Sequence, residues 1–232
     1  MVIGVAAGDP LERAEIGTGM DLAKTVYAVF MALGLKVAAE ALYPALFARE
    51  KAEVGSFSPS LVLGSFLVIL CLAIRFSWIP RNLYEYVRRH LNGGTDAEMT
   101  RASRLLMLCH FPIALVHTLL FFGVCEAFAE MTEHSNSSLA PVLHFVCIST
   151  ALLVLNSFWL LFLLRRNDAA PDHRFWAKNN LICALLVAAL VAAYSVFDFS
   201  VAALLVGALV IFFFNSMFDL VVSADGYVRF EV

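Results

Sequence analysis

Six apolar stretches, each long enough to cross a lipid bilayer as one helix, limit what this chain can fold into more than any other feature. They lie at approximately residues 24–48, 59–80, 104–131, 138–164, 178–197 and 199–222. About 20 apolar residues in a helix cross the hydrocarbon core of a bilayer. The composition agrees, because 61% of the residues are hydrophobic and 15% are charged, whereas soluble domains carry about 25% charged residues. The sequence predicts an all-α integral membrane protein, a bundle of six transmembrane helices.

The boundary between the fifth and sixth stretches is the least marked. Only Asp198 interrupts the apolar segment SVFDFS at residues 195–200. One unbroken helix of about 45 residues would be longer than any bilayer is thick, so the sequence predicts two helices here. Because the six stretches take up most of the chain, residues 1–232 are expected to form a single transmembrane domain with no soluble domain.

Basic residues are concentrated in two of the loops between the apolar stretches. The first loop contains Arg81, Arg88, Arg89, Arg101 and Arg104, and the second contains Arg165, Arg166, Arg174 and Lys178. Short loops rich in lysine and arginine face the cytoplasm. We therefore expect a multi-pass protein of the cell membrane with both the N and the C terminus in the cytoplasm.

The first basic loop has a helical pattern of its own. In WIPRNLYEYVRRHLNGG, residues 78–94, apolar residues at 83, 87 and 91 share one face, and the basic residues lie towards the other. This pattern predicts an interfacial amphipathic helix after the second span. Its basic face, with the rest of loop 81–104, is expected to bind the headgroups of membrane lipids or to dock a cytoplasmic protein partner.

Lys36 and Glu40 stand in the middle of the first apolar stretch. On insertion scales, the nine Leu, Ile, Phe and Val residues of this stretch contribute roughly 4 kcal/mol, whereas two central charges cost about 6 kcal/mol. Lys36 is about 18 Å deep when counted from Lys24, too deep for its ammonium group to reach the membrane surface easily. Both side chains are therefore expected to face protein or water.

Counting depth from the last basic residue of each stretch places the other polar side chains in three tiers. His117 falls beside Lys36, about 20 Å deep. Glu126 and His144 fall near the outer mouth. The inner tier contains Arg75, His110 and Asp219, with Asn156 and Asn215 slightly deeper. Polar groups on several helices are typical of a transport path, although polar contacts that only hold helices together give the same pattern.

Known catalytic and cofactor motifs do not account for these residues. The sequence has no H-E-x-x-H, P-loop, G-x-S-x-G or C-x-x-C motif, so an enzyme is neither indicated nor ruled out. No two histidines match in depth as axial haem ligands would, and the five cysteines lie in apolar stretches. We expect no metal site and no cofactor. The net charge of −3 does not suggest nucleic-acid binding.

Two functions are consistent with these features. The first is an ion- or proton-permeable channel or small transporter, assembled as a homo-oligomer, in which Lys36, Glu40 and His117 form the central polar site. The second is a non-transporting membrane subunit or signalling anchor that docks a cytoplasmic partner through the basic loop at 81–104. The sequence does not specify the permeant ion or the partner.

Overall fold

The computed structural model describes residues 10–47, 58–77, 109–133, 138–165 and 172–222. Within these ranges the chain is helical and contains no strand. Each of the six helices is long and apolar enough to cross a membrane. They are α1 (Pro10–Phe47), α2 (Pro59–Phe76), α3 (Phe111–Glu133), α4 (Leu139–Arg165), α5 (Asp172–Phe197) and α6 (Val201–Val222). The prediction of six apolar spanning helices is confirmed.

The helices differ from the apolar stretches mainly where they begin. α1 begins at Pro10, well before the apolar stretch that starts near residue 24, and the part apolar enough to span is Lys24–Phe47. Apolar content marks the segment that suits lipid, whereas a helix continues through polar residues until a terminating signal stops it. The predicted turn between the last two helices is confirmed, and Asp198 adopts a left-handed φ of 49° there.

Four helices form the interior of the bundle and two lie outside. α2, α3, α4 and α6 pack together, while α1 packs against α2 and α3, and α5 packs against α4 and α6. In the most apolar part of α1 and of α5, 22% of the residues are buried, compared with 44–50% in the other four helices. Phenylalanine side chains fill much of the core, among them Phe76, Phe121, Phe128, Phe145 and Phe212.

α1 lies close against α3 at Gly34. A Cβ atom added to Gly34 would lie 3.2 Å from the Cys125 sulfur and 3.4 Å from the Phe121 ring. Glycine is therefore suited to this point of close approach. The contact also fixes the relative heights of the two helices, since Gly34 lies level with residues 121–125.

The bundle has two ends, which we name by a residue near each. α1, α3 and α5 run from the Arg75 end to the Glu130 end, and α2, α4 and α6 run back. The predicted amphipathic helix, both termini and the basic loop at 81–104 lie outside the described residues. Which end faces the cytoplasm therefore stays a prediction.

Candidate functional site

A buried ion pair joins α2 to α6 near the Arg75 end. The Arg75 guanidinium pairs with the Asp219 carboxylate, and both side chains are almost completely buried. Arg75 also donates hydrogen bonds to the side-chain oxygens of Asn180 on α5 and Asn215 on α6. One arginine thus connects three helices, using the several N–H donors of its planar fork.

Asn179 completes this network from α5. Its side-chain amide donates to the Asp219 carboxylate at 2.5 Å and to the backbone oxygen of Asn215 at 2.8 Å. Asn215 and Asp219 are four residues apart and so share a face of α6. A buried charge costs several kcal/mol unless it is paired and hydrogen-bonded. The network meets that requirement and holds the outer helix α5 against the interior.

Contacts among neighbouring side chains extend this polar level to α1 and α3. The Tyr27 hydroxyl on α1 donates to the backbone oxygen of Phe76 at 2.7 Å. The Phe76 ring meets the His117 ring of α3 edge to face, with centroids 4.3 Å apart. On α4, the Ser157 hydroxyl lies 3.2 Å from the backbone oxygen of Ala177 in α5.

Every one of the six helices therefore contributes a polar side chain at this level, which we call the polar layer. Its members are Tyr27, Arg75, His117, Ser157, Asn180 and Asn215.

His117 is the least satisfied member of the polar layer. Its ring is completely buried, and neither ring nitrogen has a hydrogen-bond partner among the described residues. An unpartnered buried polar group costs about 1–3 kcal/mol. Internal water commonly occupies such positions when space allows. The Arg75 guanidinium lies over the ring of Phe76, which is the ring that contacts His117. The central guanidinium carbon is 5.6 Å from the centre of the Phe76 ring.

Lys36 and Glu40 lie elsewhere, on the outward face of α1. Their side chains are 68% and 64% exposed, and the Lys36 ammonium lies 3.4 Å from a Glu40 carboxylate oxygen. Lys36 is nine residues beyond Tyr27, so it stands about 14 Å from the polar layer along the helix. Of the three residues expected to form one central site, His117 is therefore separated from the Lys36–Glu40 pair within the chain.

The depth count did not predict this separation because basic residues indicate a side of the membrane but not an exact depth. Counting α3 from Arg104 and α1 from Lys24 assumed that both residues lie at one height. The Tyr27–Phe76–His117 contacts instead place His117 level with Tyr27. Spacing along one helix also leaves open which way a side chain faces around it, so the outward direction of Lys36 was not foreseeable.

At the Glu130 end, a second polar contact joins α3 to α4. The His144 Nδ1 atom lies 2.8 Å from a Glu130 carboxylate oxygen, and both side chains are about half exposed. Glu126, which was expected to share the outer mouth with His144, is exposed one turn earlier on α3. The partner of His144 is therefore an acid that the depth count did not select.

His110 and Asn156 lie at the Arg75 end of the interior. The Trp159 indole donates to the His110 Nδ1 atom at 3.0 Å, which joins α4 to the start of α3. Asn156 is buried on α4. Of the residues expected to line a polar path, the structure brings Arg75, Asn215 and Asp219 together. His110, Asn156 and His117 are buried in the same half of the bundle.

The sequence analysis did not select Asn179 and Asn180 as site residues, because asparagines beside an aromatic residue such as Trp176 are also typical of the interfacial start of a span. The signal that identifies them is their position. Two adjacent asparagines at the start of an apolar run stand opposite Asn215 and Asp219 once α5 and α6 are paired as a hairpin. Amide side chains at such a position find partners more readily in the bundle than in lipid.

Metal ligation is not suggested by the described part of the chain. Those residues contain no group of three or more His, Cys, Asp and Glu side chains that could hold a metal ion. The five cysteines, all within the described ranges, are free thiols. Comparison of the chain with protein-family models, with curated proteins and with solved structures gives no match.

Proposed function

We propose that this protein is an ion- or proton-permeable membrane transport protein whose path runs along the outward face of α1. The observation that carries the proposal is the ion pair of Lys36 and Glu40, which stands at mid-span and is exposed outside the chain's own bundle. Each charge left in hydrocarbon would cost about 2.5–3.5 kcal/mol. Ionisable groups kept at such a depth are commonly part of a substrate or ion path.

The distribution of charge suggests how the protein sits in the membrane. Lys24, Arg165, Arg174 and Lys178 all belong to the Arg75 end. At the Glu130 end the described residues include the acids Glu126, Glu130 and Glu133 and no lysine or arginine; Arg49 and Lys51, between α1 and α2, lie outside the described residues. By the positive-inside rule we assign the Arg75 end to the cytoplasm, with both termini on that side of the cell membrane. With this orientation, the polar layer lies in the cytoplasmic half of the membrane and Lys36 lies near its middle.

Reconstitution in liposomes tests the proposal. The purified protein should carry an ion or proton flux that Glu40→Gln or Lys36→Met changes by about tenfold or more, equivalent to about 1.4 kcal/mol in the barrier. Leu185→Met is the control, because Leu185 is exposed on the other outer helix, α5, away from the face along which the path is proposed to run. Equal flux in wild type and both charge variants would remove Lys36 and Glu40 from the path.

A second candidate is a non-transporting membrane subunit or signalling anchor. It is favoured by the interior polar groups, since Arg75, Asp219 and Asn179 bond to one another and hold helices together. In this case liposomes stay impermeable. Reversing Arg88 and Arg89 to glutamate would abolish binding of lipid or of a cytoplasmic partner, whereas Glu40→Gln would change only stability.

A further inference from the structure

The outward face of α1 is built differently from a surface made for lipid. Between residues 28 and 43 its exposed residues are Ala28, Val29, Ala32, Leu33, Lys36, Ala39, Glu40 and Tyr43. Three alanines leave room for another helix to approach closely. The ion pair sits among them, two turns from the nearer end of the described helix.

From this face we infer that α1 packs against α1 of a second copy of this chain, so that Lys36 and Glu40 of the two copies form one shared charge cluster. This inference rests on the proposed function. It adds to that function the identity of the surface that faces Lys36 and Glu40, which is α1 of a second copy.

Charge complementarity identifies a second copy as the occupant. Each copy presents one positive and one negative group, four residues apart on one face, which is about 6 Å along the helix. A second copy in the same membrane orientation, related by an axis along the membrane normal, has its Lys36 and Glu40 at the same heights, so each lysine can meet the acid of the other copy diagonally, one helical turn away. The surface is complementary to itself where the two helices cross so that these diagonal pairs are closer than the like charges at equal height.

The pairing within one chain leaves this attraction available. Lys36 and Glu40 remain 68% and 64% exposed although they pair with each other, and Lys before Glu is the less favourable order for a pair within one helix. When the pair is desolvated against a second pair, rather than against acyl chains, each group gains a second opposite charge in diagonal contact on the other copy. The site is incomplete in a single chain.

Charge reversal with two affinity tags tests this contact in liposomes that contain only the purified chains. Lys36→Glu gives a chain with two acids on the face, and Glu40→Lys gives a chain with two lysines. Each variant should fail to pull down a differently tagged copy of itself, with recovery about tenfold below that of wild type. The two variants mixed together should recover each other at the wild-type level.

The double variant Lys36→Glu with Glu40→Lys is the matched control, since it restores one charge of each sign and should associate with itself. If a charge-reversed chain does not enter the membrane, the uncharged double variant Lys36→Met with Glu40→Gln replaces it. Its recovery of a differently tagged copy of itself should lie between the wild-type level and the level of the charge-reversed variants. Recovery that ignores the charge pattern, or wild-type chains that never recover each other, overturns the inference.

These readouts separate the inference from the proposed function. Wild-type chains that associate in the charge-dependent way but carry no flux leave the contact standing and refute transport. Flux from chains that do not associate refutes the contact. The proposed path would then be lined on its other side by something other than a second copy.

Discussion

α1 and α5 occupy comparable positions in the bundle but present different surfaces outward. Each is an outer helix that packs against two interior helices, and in each 22% of the most apolar part is buried. The exposed face of α5 beyond its first turns carries only apolar and small residues, such as Leu181, Leu185 and Ala189. The exposed face of α1 carries Lys36 and Glu40 at mid-span.

The two helices also use their polar residues in opposite directions. α5 turns Asn179 and Asn180 inward, where they bond to Arg75, Asn215 and Asp219, and its charged residues Arg174 and Lys178 stand near its first turns. α1 turns Tyr27 inward, where it donates a hydrogen bond to α2, and it places its mid-span charges outside. Two outer helices with equal burial therefore place their polar side chains in opposite ways.

The largest expected effect comes from moving the α1 ion pair onto α5. Leu185→Lys with Ala189→Glu reproduces the spacing at mid-span on an exposed apolar face. Because that face is expected to meet lipid, the two charges should cost about 6 kcal/mol of insertion free energy. The amount of folded protein in the membrane should fall strongly, as measured by membrane fractionation and size-exclusion chromatography.

The apolar control for this variant is Leu185→Met with Ala189→Leu, which should remain at the wild-type level. If the charged variant also accumulates normally, α5 accepts the ion pair as readily as α1 does. The contrast between the two outward faces would then have no functional meaning.

A smaller loss is expected when the attachment of α5 to the interior is broken. Asp219→Leu leaves the Arg75 charge buried without its carboxylate, and uncompensated buried charges cost about 3–5 kcal/mol. The free energy of unfolding in detergent measures this loss. Arg75→Met combined with Asp219→Leu should recover a large part of it, and equal stability of the single and double variants would show that the ion pair does not hold the helices.

The smallest loss is expected at the inward contact of α1. Tyr27→Phe removes one neutral hydrogen bond to the backbone oxygen of Phe76 and should cost about 0.5–1.5 kcal/mol in the same unfolding measurement. Tyr43→Phe removes a hydroxyl from the exposed face of the same helix and should change stability little. A larger effect at Tyr43 than at Tyr27 would mean that the outward face, not the inward one, fixes α1.

The number of helices follows from apolar length, because the cost of breaking backbone hydrogen bonds in lipid makes each long apolar stretch a helix. The same reasoning correctly placed a turn at Asp198. It did not place the start of α1 at Pro10, because apolarity reports where lipid is tolerated and says little about how far a helix continues into water.

The candidate site was less predictable than the fold. Depth along a helix can be counted from sequence, and this put Arg75 and Asp219 at a similar height. The direction of a side chain around its helix depends on which neighbours pack there, so neither the partnership with Asn180 nor the outward position of Lys36 followed from spacing. The depth count places His117 level with Lys36, whereas it lies level with Tyr27, because Arg104 does not mark the same height on α3 as Lys24 marks on α1.

The central claim is that the mid-span face of α1 meets water or protein and not acyl chains. Nitroxide labels attached through cysteine at Ala39 on α1 and at Ala189 on α5, in a background without the native cysteines, allow a direct comparison in liposomes. Collisions with oxygen, which concentrates in lipid, and with a water-soluble nickel chelate are measured for both. Oxygen accessibility should be much lower at Ala39 than at Ala189. Equal and high oxygen accessibility at the two positions would contradict it.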